Sequence, residues 1–159
     1  MQIAGDEGHE GNGTGSNGAE CSVEVEGTPR DLHPILRDEV YRIAGEALRN
    51  AFCHAHARRI DVAIGYGERQ FRLRVRDNGK GIDPEVLDRQ SRAGHFGLPG
   101  MHERAELIGG NLEVWSQGQS GTEVELNIPA AIAYTGYSAG RRSRFLAKLR
   151  SAKKTGTHS

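Results

Sequence analysis

Glu46 and Asn50 stand four residues apart in a stretch whose apolar residues repeat at helical spacing, so both project from one helix face, away from the apolar stripe. A carboxylate and an amide oxygen at that spacing can point together at a hydrated Mg²⁺, which takes hard oxygen donors and usually keeps substrate phosphates in its shell. The same spacing also suits a solvent-facing polar pair. Asp77-Asn78-Gly79-Lys80-Gly81 carries a sharper signal. Two glycines two apart let a backbone approach a ligand closely, and an aspartate just before them can accept from an exocyclic amine. An ordinary strand-to-helix turn has the same composition. Gly97-Leu98-Pro99-Gly100-Met101 opens a helix, and free N–H groups at a positive helix end suit a phosphate. Gly121-Thr122 taken alone is a hairpin turn.

These segments need elements to hold them. Cys21, Val23 and Val25 alternate with polar residues as in a strand ending at Gly27. Pro34 suits the first turn of a helix, and Val40, Ile43, Ala44, Ala47, Leu48, Ala51, Phe52 and Ala55 mark one face of that helix. Ile60, Val62, Ile64 and then Phe71, Leu73, Val75 alternate on either side of Gly65-Tyr66-Gly67, which predicts a hairpin. A short helix is expected around Pro84 to Arg89, and a longer one from about Leu98 to Ile108, stopped by Gly109-Gly110. A last hairpin pairs Leu112 and Val114 with Val124, Leu126 and Ile128, and Pro129 ends it. The order predicts an α+β two-layer sandwich, with a mixed, mostly antiparallel sheet covered on one face by helices.

The 159 residues suit one domain with a real core. No apolar run reaches the ~18–20 residues of a membrane span, and there is no signal-peptide pattern. Cys21 and Cys53 make no disulfide framework, so a reducing, cytoplasmic setting is expected. The net charge of +0 hides an asymmetry: nothing after Glu125 is acidic, while Arg141, Arg142, Arg144, Lys148, Arg150, Lys153 and Lys154 crowd the end. Residues 1–20 read as a disordered glycine-rich leader, 21–130 as the domain, and 131–159 as a basic disordered tail with no specific nucleic-acid role. Cys53, His54 and His56 lie on different sides of a helix or its end, with no second ligand pair at finger-like spacing, so a zinc site is not expected.

In this order the segments resemble the sensor histidine kinases. Glu46 to Ala55 resembles their N box, Asp77 to Gly81 the G1 box, Gly97 to Met101 the G2 box and Gly121-Thr122 the G3 element. The run from Phe96 to Arg104 is especially similar to the subfamily whose partners are NarL/LuxR-type response regulators. The resemblance implies the Bergerat ATP-binding fold shared with DNA gyrase and one class of heat-shock chaperone. It further implies that Asp77 binds the adenine amino group and that Gly79 and Gly81, with Ile82, lie against the nucleotide. Asn50 holds Mg²⁺ between the phosphates and Glu46 polarises the attacking group. Gly97, Leu98, Gly100 and Met101 sit beside the phosphates behind a flexible lid from Ser91 to Phe96, and Thr122 completes the ATP site. Two departures stand out. Cys53 occupies a place where relatives often carry Lys or Arg. The upstream hairpin that presents a phosphorylatable histidine is not seen, and His33, beside Pro34 at a helix start, is a poor substitute.

The leading expectation is therefore a catalytic domain, monomeric by itself, that transfers the γ-phosphoryl of Mg-ATP to a histidine on another chain or segment. An anti-sigma-factor-type serine kinase and a non-catalytic ATP-binding or docking module are the alternatives.

Overall fold

The computed structural model describes residues 11–14, 18–83, 85 and 98–136. A six-stranded sheet carries the helices in the order β1-β2-β3-β4-β6-β5. Its strands are β1 (Gly11–Thr14), β2 (Glu20–Gly27), β3 (Arg59–Tyr66), β4 (Gln70–Asp77), β5 (Asn111–Gln117) and β6 (Gly121–Pro129). Only β2 and β3 run parallel, and the other pairs are antiparallel. That one parallel pair requires a long crossover, supplied by helix α1 (Pro34–Arg49) and the π-helical turn Asn50–His54. Helices α2 (Leu98–Leu107) and α3 (Ala130–Ala133) complete the elements.

The strand alternation becomes a layered core. In register, Val23, Val62, Val75, Val124 and Val114 form one row of valines across five strands. The next row runs through Ile64, Leu73, Leu126 and Leu112. These residues belong to one apolar cluster with Leu36, Val40, Ile43 and Ala47 of α1 and Met101, Ala105 and Ile108 in or just after α2. Full burial of each large aliphatic side chain stabilises by about 1.5–3 kcal/mol. Many of the intervening residues are polar and pair across strands. Arg72 bonds Glu26 at 2.8 Å, and the Ser22 hydroxyl donates to Asp61 at 2.6 Å. A sheet with one apolar and one charged face is what the sequence pattern demanded.

Helix α1 begins as its sequence suggests, with Pro34 in the first turn and His33 as cap, its Nδ1 accepting from the Ile35 N–H at 3.4 Å. It connects to α2 through Glu39, a buried carboxylate bound by Arg104 at 2.9 Å. No helix among the described residues is long and apolar enough to cross a membrane.

The expected domain limits shift outward at both ends. Gly11–Thr14 form a strand against β2 within the stretch read as a disordered leader. Composition misses this because the pairing uses backbone groups and needs no apolar alternation. Ala130, Ala133 and Tyr134 are buried at and beyond the expected end at residue 130. The Tyr134 hydroxyl donates to the Gly67 carbonyl at 2.9 Å, and the Arg30 guanidinium lies 4.0 Å from its ring centroid. The short helix expected around Pro84 to Arg89, the lid and Gly97 lie almost wholly outside the described residues.

Candidate functional site

Strand β4 carries apolar residues inward at Phe71, Leu73 and Val75, and the next inward position is Asp77. The register sets Asp77 beside Ile60 of β3, so strand geometry drives a carboxylate to the helix-facing side, where it is 7% exposed. The Gly79 N–H donates to its Oδ1 at 2.8 Å. Burial nevertheless outweighs the stabilisation of the carboxylate by the Gly79 and Thr122 backbone amides and holds the Asp77 carboxyl above the ordinary range. A buried acceptor of this kind is suited to a ligand amine.

Asp77 opens onto a cavity of about 470 Å³ between sheet and helices, of the size that takes a small-molecule ligand. Its wall surface is mainly apolar, from side chains such as Ala47, Val75, Val124 and Leu98, with polar groups of Asn50, Asp77, Lys80 and Thr122 among them. Asn50 lines it from the start of the π-helical turn, and its Oδ1 is buried. The turn is wider than an α-helix, with the Ala55 N–H donating to the Asn50 carbonyl at 3.0 Å. Such insertions are frequent at functional sites, and here the turn brings Asn50, His54 and Ala55 to the cavity wall.

The loop after β4 is held from both sides. Asn78 Oδ1 accepts from the Arg58 and Arg59 N–H groups at 3.0 and 2.8 Å. The Lys80 N–H donates to the Ala55 carbonyl at 2.9 Å, and the Gln119 N–H to the Lys80 carbonyl at 2.8 Å. Gly81 has φ +73°, and a Cβ there would stand 2.5 Å from the Gln117 carbonyl oxygen. A Cβ on Gly79 would collide with the Ala55 carbonyl. Close approach was expected between these glycines and a ligand; the structure shows a close approach of protein backbone, which already requires glycine at both positions.

Of the residues singled out by sequence, Asn50, Asp77, Gly81, Ile82, Leu98 and Thr122 line the cavity. Gly79, Gly100 and Met101 do not, and Met101 is a core residue at 1% exposure, because its place in α2 turns it toward the sheet. Glu46 sits one turn before Asn50, outside the cavity lining, and bonds Arg49 at 3.0 Å. Gly97 lies outside the described residues. Sequence reasoning did not assign His54, Lys80, Asp83, Gly118 or Gln119 to the site, yet the fold brings them to the cavity wall. Cys53 is exposed and does not line the cavity.

Among the described residues no cluster of three or more His, Cys, Asp or Glu could hold a metal by itself. Of Glu46 and Asn50 only Asn50 lines the cavity, and a single amide oxygen fits a Mg²⁺ whose remaining ligands are phosphate oxygens and water and does not fit an all-protein metal cage.

A mainly apolar cavity lined by a buried carboxylate and an amide side chain lies between sheet and helices. The chain belongs to the family of histidine kinase-, DNA gyrase B- and HSP90-like ATPases, whose model matches residues 35–132, and its relatives make it an ATP-binding domain of the sensor histidine kinase kind. It is 42% identical over 94 residues to the sensor histidine kinase LiaS of Bacillus subtilis, covering 59% of this chain and 25% of that protein. With the sensor histidine kinase YdfH of Bacillus subtilis it shares 34% identity over 119 residues, 72% of this chain and 28% of the relative. The chain thus spans about a quarter of either curated relative. In fold it is similar to the histidine kinase domain of the blue-light activated histidine kinase of Erythrobacter litoralis EL346 (TM-score 0.63, 22% identity, 80% of this chain and 55% of that one). It is also similar in fold to the ATP binding domain of PrrB from Mycobacterium tuberculosis (TM-score 0.52, 20% identity, 67% of this chain and 78% of that one).

Proposed function

We propose that this domain binds Mg-ATP and transfers the γ-phosphoryl group to a histidine on a dimerisation segment supplied by another chain or another part of the protein, for relay to a response regulator of the NarL/LuxR type. The observation that carries this reading is the convergence of Asp77, Asn50 and Thr122 on one cavity of about 470 Å³. The adenine amino group donates to the Asp77 carboxylate, while Ile82 and Leu98 exclude water around the base. Asn50, with Glu46 beside it, is the residue that would hold Mg²⁺. That ion, when bound, neutralises charge on the phosphate oxygens. Glu46 polarises the attacking imidazole, whose nitrogen bonds to the γ-phosphorus as the bond to the bridging oxygen breaks and ADP leaves with the electron pair. Such chemistry asks the protein mainly for positioning and charge neutralisation. The domain works in the cytoplasm, where ATP is available, and is a monomer by itself.

The test combines calorimetry with a transfer assay on a histidine-bearing dimerisation domain added in trans. Wild type is expected to bind Mg-ATP and label the histidine. Glu46→Gln is expected to bind ATP within about threefold of wild type yet lose transfer by roughly a hundredfold, the scale of a lost proton-handling carboxylate. Transfer by Glu46→Gln at the wild-type rate would overturn the role of Glu46. ATP binding with no transfer to histidine would leave a non-catalytic module, or a serine kinase if a serine acceptor is labelled instead.

A further inference from the structure

Ser116 of β5 does not line the cavity, yet it joins the two loops that do. Its hydroxyl oxygen accepts from the Ile82 N–H at 2.6 Å, and lies 3.2 Å from the Gly121 carbonyl oxygen and 3.1 Å from Thr122 Oγ1. A serine hydroxyl has one proton and two acceptor sites. When its proton goes to Gly121, the second acceptor site receives the Thr122 proton, and Ser116 makes three hydrogen bonds. When its proton goes to Thr122, the Gly121 contact is lost and one acceptor site stays idle, which leaves two bonds. The first arrangement is favoured by one hydrogen bond in a part-buried place where unmade bonds are costly. In it Thr122 has spent its only proton on Ser116, and a lone pair of Thr122 Oγ1 is what remains for the cavity. Asp77 lines the same cavity, and the Thr122 backbone amide favours its carboxylate form. Two acceptors therefore line the same cavity.

We propose that Ser116 is a positioning residue that fixes Thr122 as a hydrogen-bond acceptor, so that Thr122 and Asp77 together select a purine with an exocyclic amino group over one with a carbonyl at that position. The inference rests on the ATP reading of the cavity and deepens it. An amino group brings two N–H hydrogens to the two acceptors, whereas a carbonyl brings lone pairs against them. Without the Ser116 oxygen, Thr122 regains a free proton and can turn it toward the ligand, which removes the discrimination. Loss of the bond to the Ile82 N–H would loosen the loop as well, but that effect falls on either purine alike.

The experiment measures dissociation constants for ATP and inosine triphosphate by calorimetry on wild type, Ser116→Ala, Ser116→Thr, Thr122→Val and the Ser116→Ala/Thr122→Val double variant. Ser116→Ala is expected to lower the preference for ATP over inosine triphosphate by roughly five- to tenfold, the scale of one net hydrogen bond. Ser116→Thr, which keeps the hydroxyl, is expected to restore it. Thr122→Val is expected to lower the preference by a similar factor, and adding Ser116→Ala to it to change the preference no further. Equal weakening of both nucleotides by Ser116→Ala, or a further fall in preference in the double variant, would overturn the proposal. Should Ser116→Ala fail to fold, Thr122→Val with an unchanged preference would overturn it equally. A wild-type protein that binds neither nucleotide would instead refute the ATP reading itself, a result distinguishable from all of these.

Discussion

Asp77→Asn separates a binding role from a structural one at the floor of the cavity. The wild-type carboxylate accepts from the Gly79 N–H at 2.8 Å, yet burial holds its pKa above the ordinary value. The ionised form is thus disfavoured in the folded chain, and a neutral side chain of the same shape removes that disadvantage. The substituted amide can still accept the Gly79 N–H through its carbonyl, so the thermal midpoint near neutral pH is expected to be no lower than wild type. The ligand side differs. An amide nitrogen turns two donor hydrogens toward an adenine amino group that is itself a donor, and a charge-assisted hydrogen bond of about 1.5–3 kcal/mol is lost. ATP binding by calorimetry should weaken roughly ten- to a hundredfold. The pH dependence gives a second arm. Because the folded value is raised, the contribution of Asp77 to stability is fully present below its unfolded value and is lost as pH rises through the folded one. The amine donor favours the carboxylate, so binding releases a proton wherever Asp77 is protonated, and affinity falls as pH drops through the raised value. Asp77→Asn should be flat over that window. ATP affinity within threefold of wild type would refute the reasoning, and so would a thermal midpoint that collapses together with binding, because Asp77 would then be a fold residue.

Gly121→Ala should destabilise the domain by more than about 2 kcal/mol in chemical denaturation, because φ is +91° there and a Cβ would run into the Asp77 carbonyl; a stability loss under half that would contradict the packing described. Asp61 is held below its ordinary pKa, chiefly by the Ser22 hydroxyl and then by Arg59, so it stabilises the fold above its unfolded value and loses that contribution as pH falls through the folded one. Ser22→Ala should therefore flatten the acid limb of stability against pH, followed by urea denaturation from neutral pH down through and below the ordinary carboxylate range.

Much of this architecture is visible in the chain before any coordinates. Five strands show as alternation because one face of the sheet is buried and the other paired in water, and that environment selects residues singly. The α1 stripe is visible for the same reason at the helical period. Strand β1 leaves no such mark, since Gly11–Thr14 are held to β2 by backbone pairing. The π-helical turn leaves none either: its apolar residues Ala51 and Phe52 continue the helical period, and only the hydrogen bond from Ala55 to Asn50 reveals the change. Tyr134 looks like part of a polar tail until its ring is found under Arg30, with its hydroxyl on the Gly67 carbonyl.

For the site the division is similar. By itself the sequence determined which groups carry chemistry and the elements they ride on: an aspartate at the end of an inward-facing strand pattern, an asparagine on a helix, glycines in loops. These follow from local rules of period, turn and residue type. Tertiary structure alone decided that Asp77, Asn50 and Thr122 share one cavity and that Glu46 stands outside its lining, bonded to Arg49. It also decided that Gly79 and Gly81 are required by neighbouring backbone, and that Ser116 ties Ile82 to Thr122. Each of these depends on contacts between residues far apart in the chain, set by strand register and layer packing, and no local pattern encodes them.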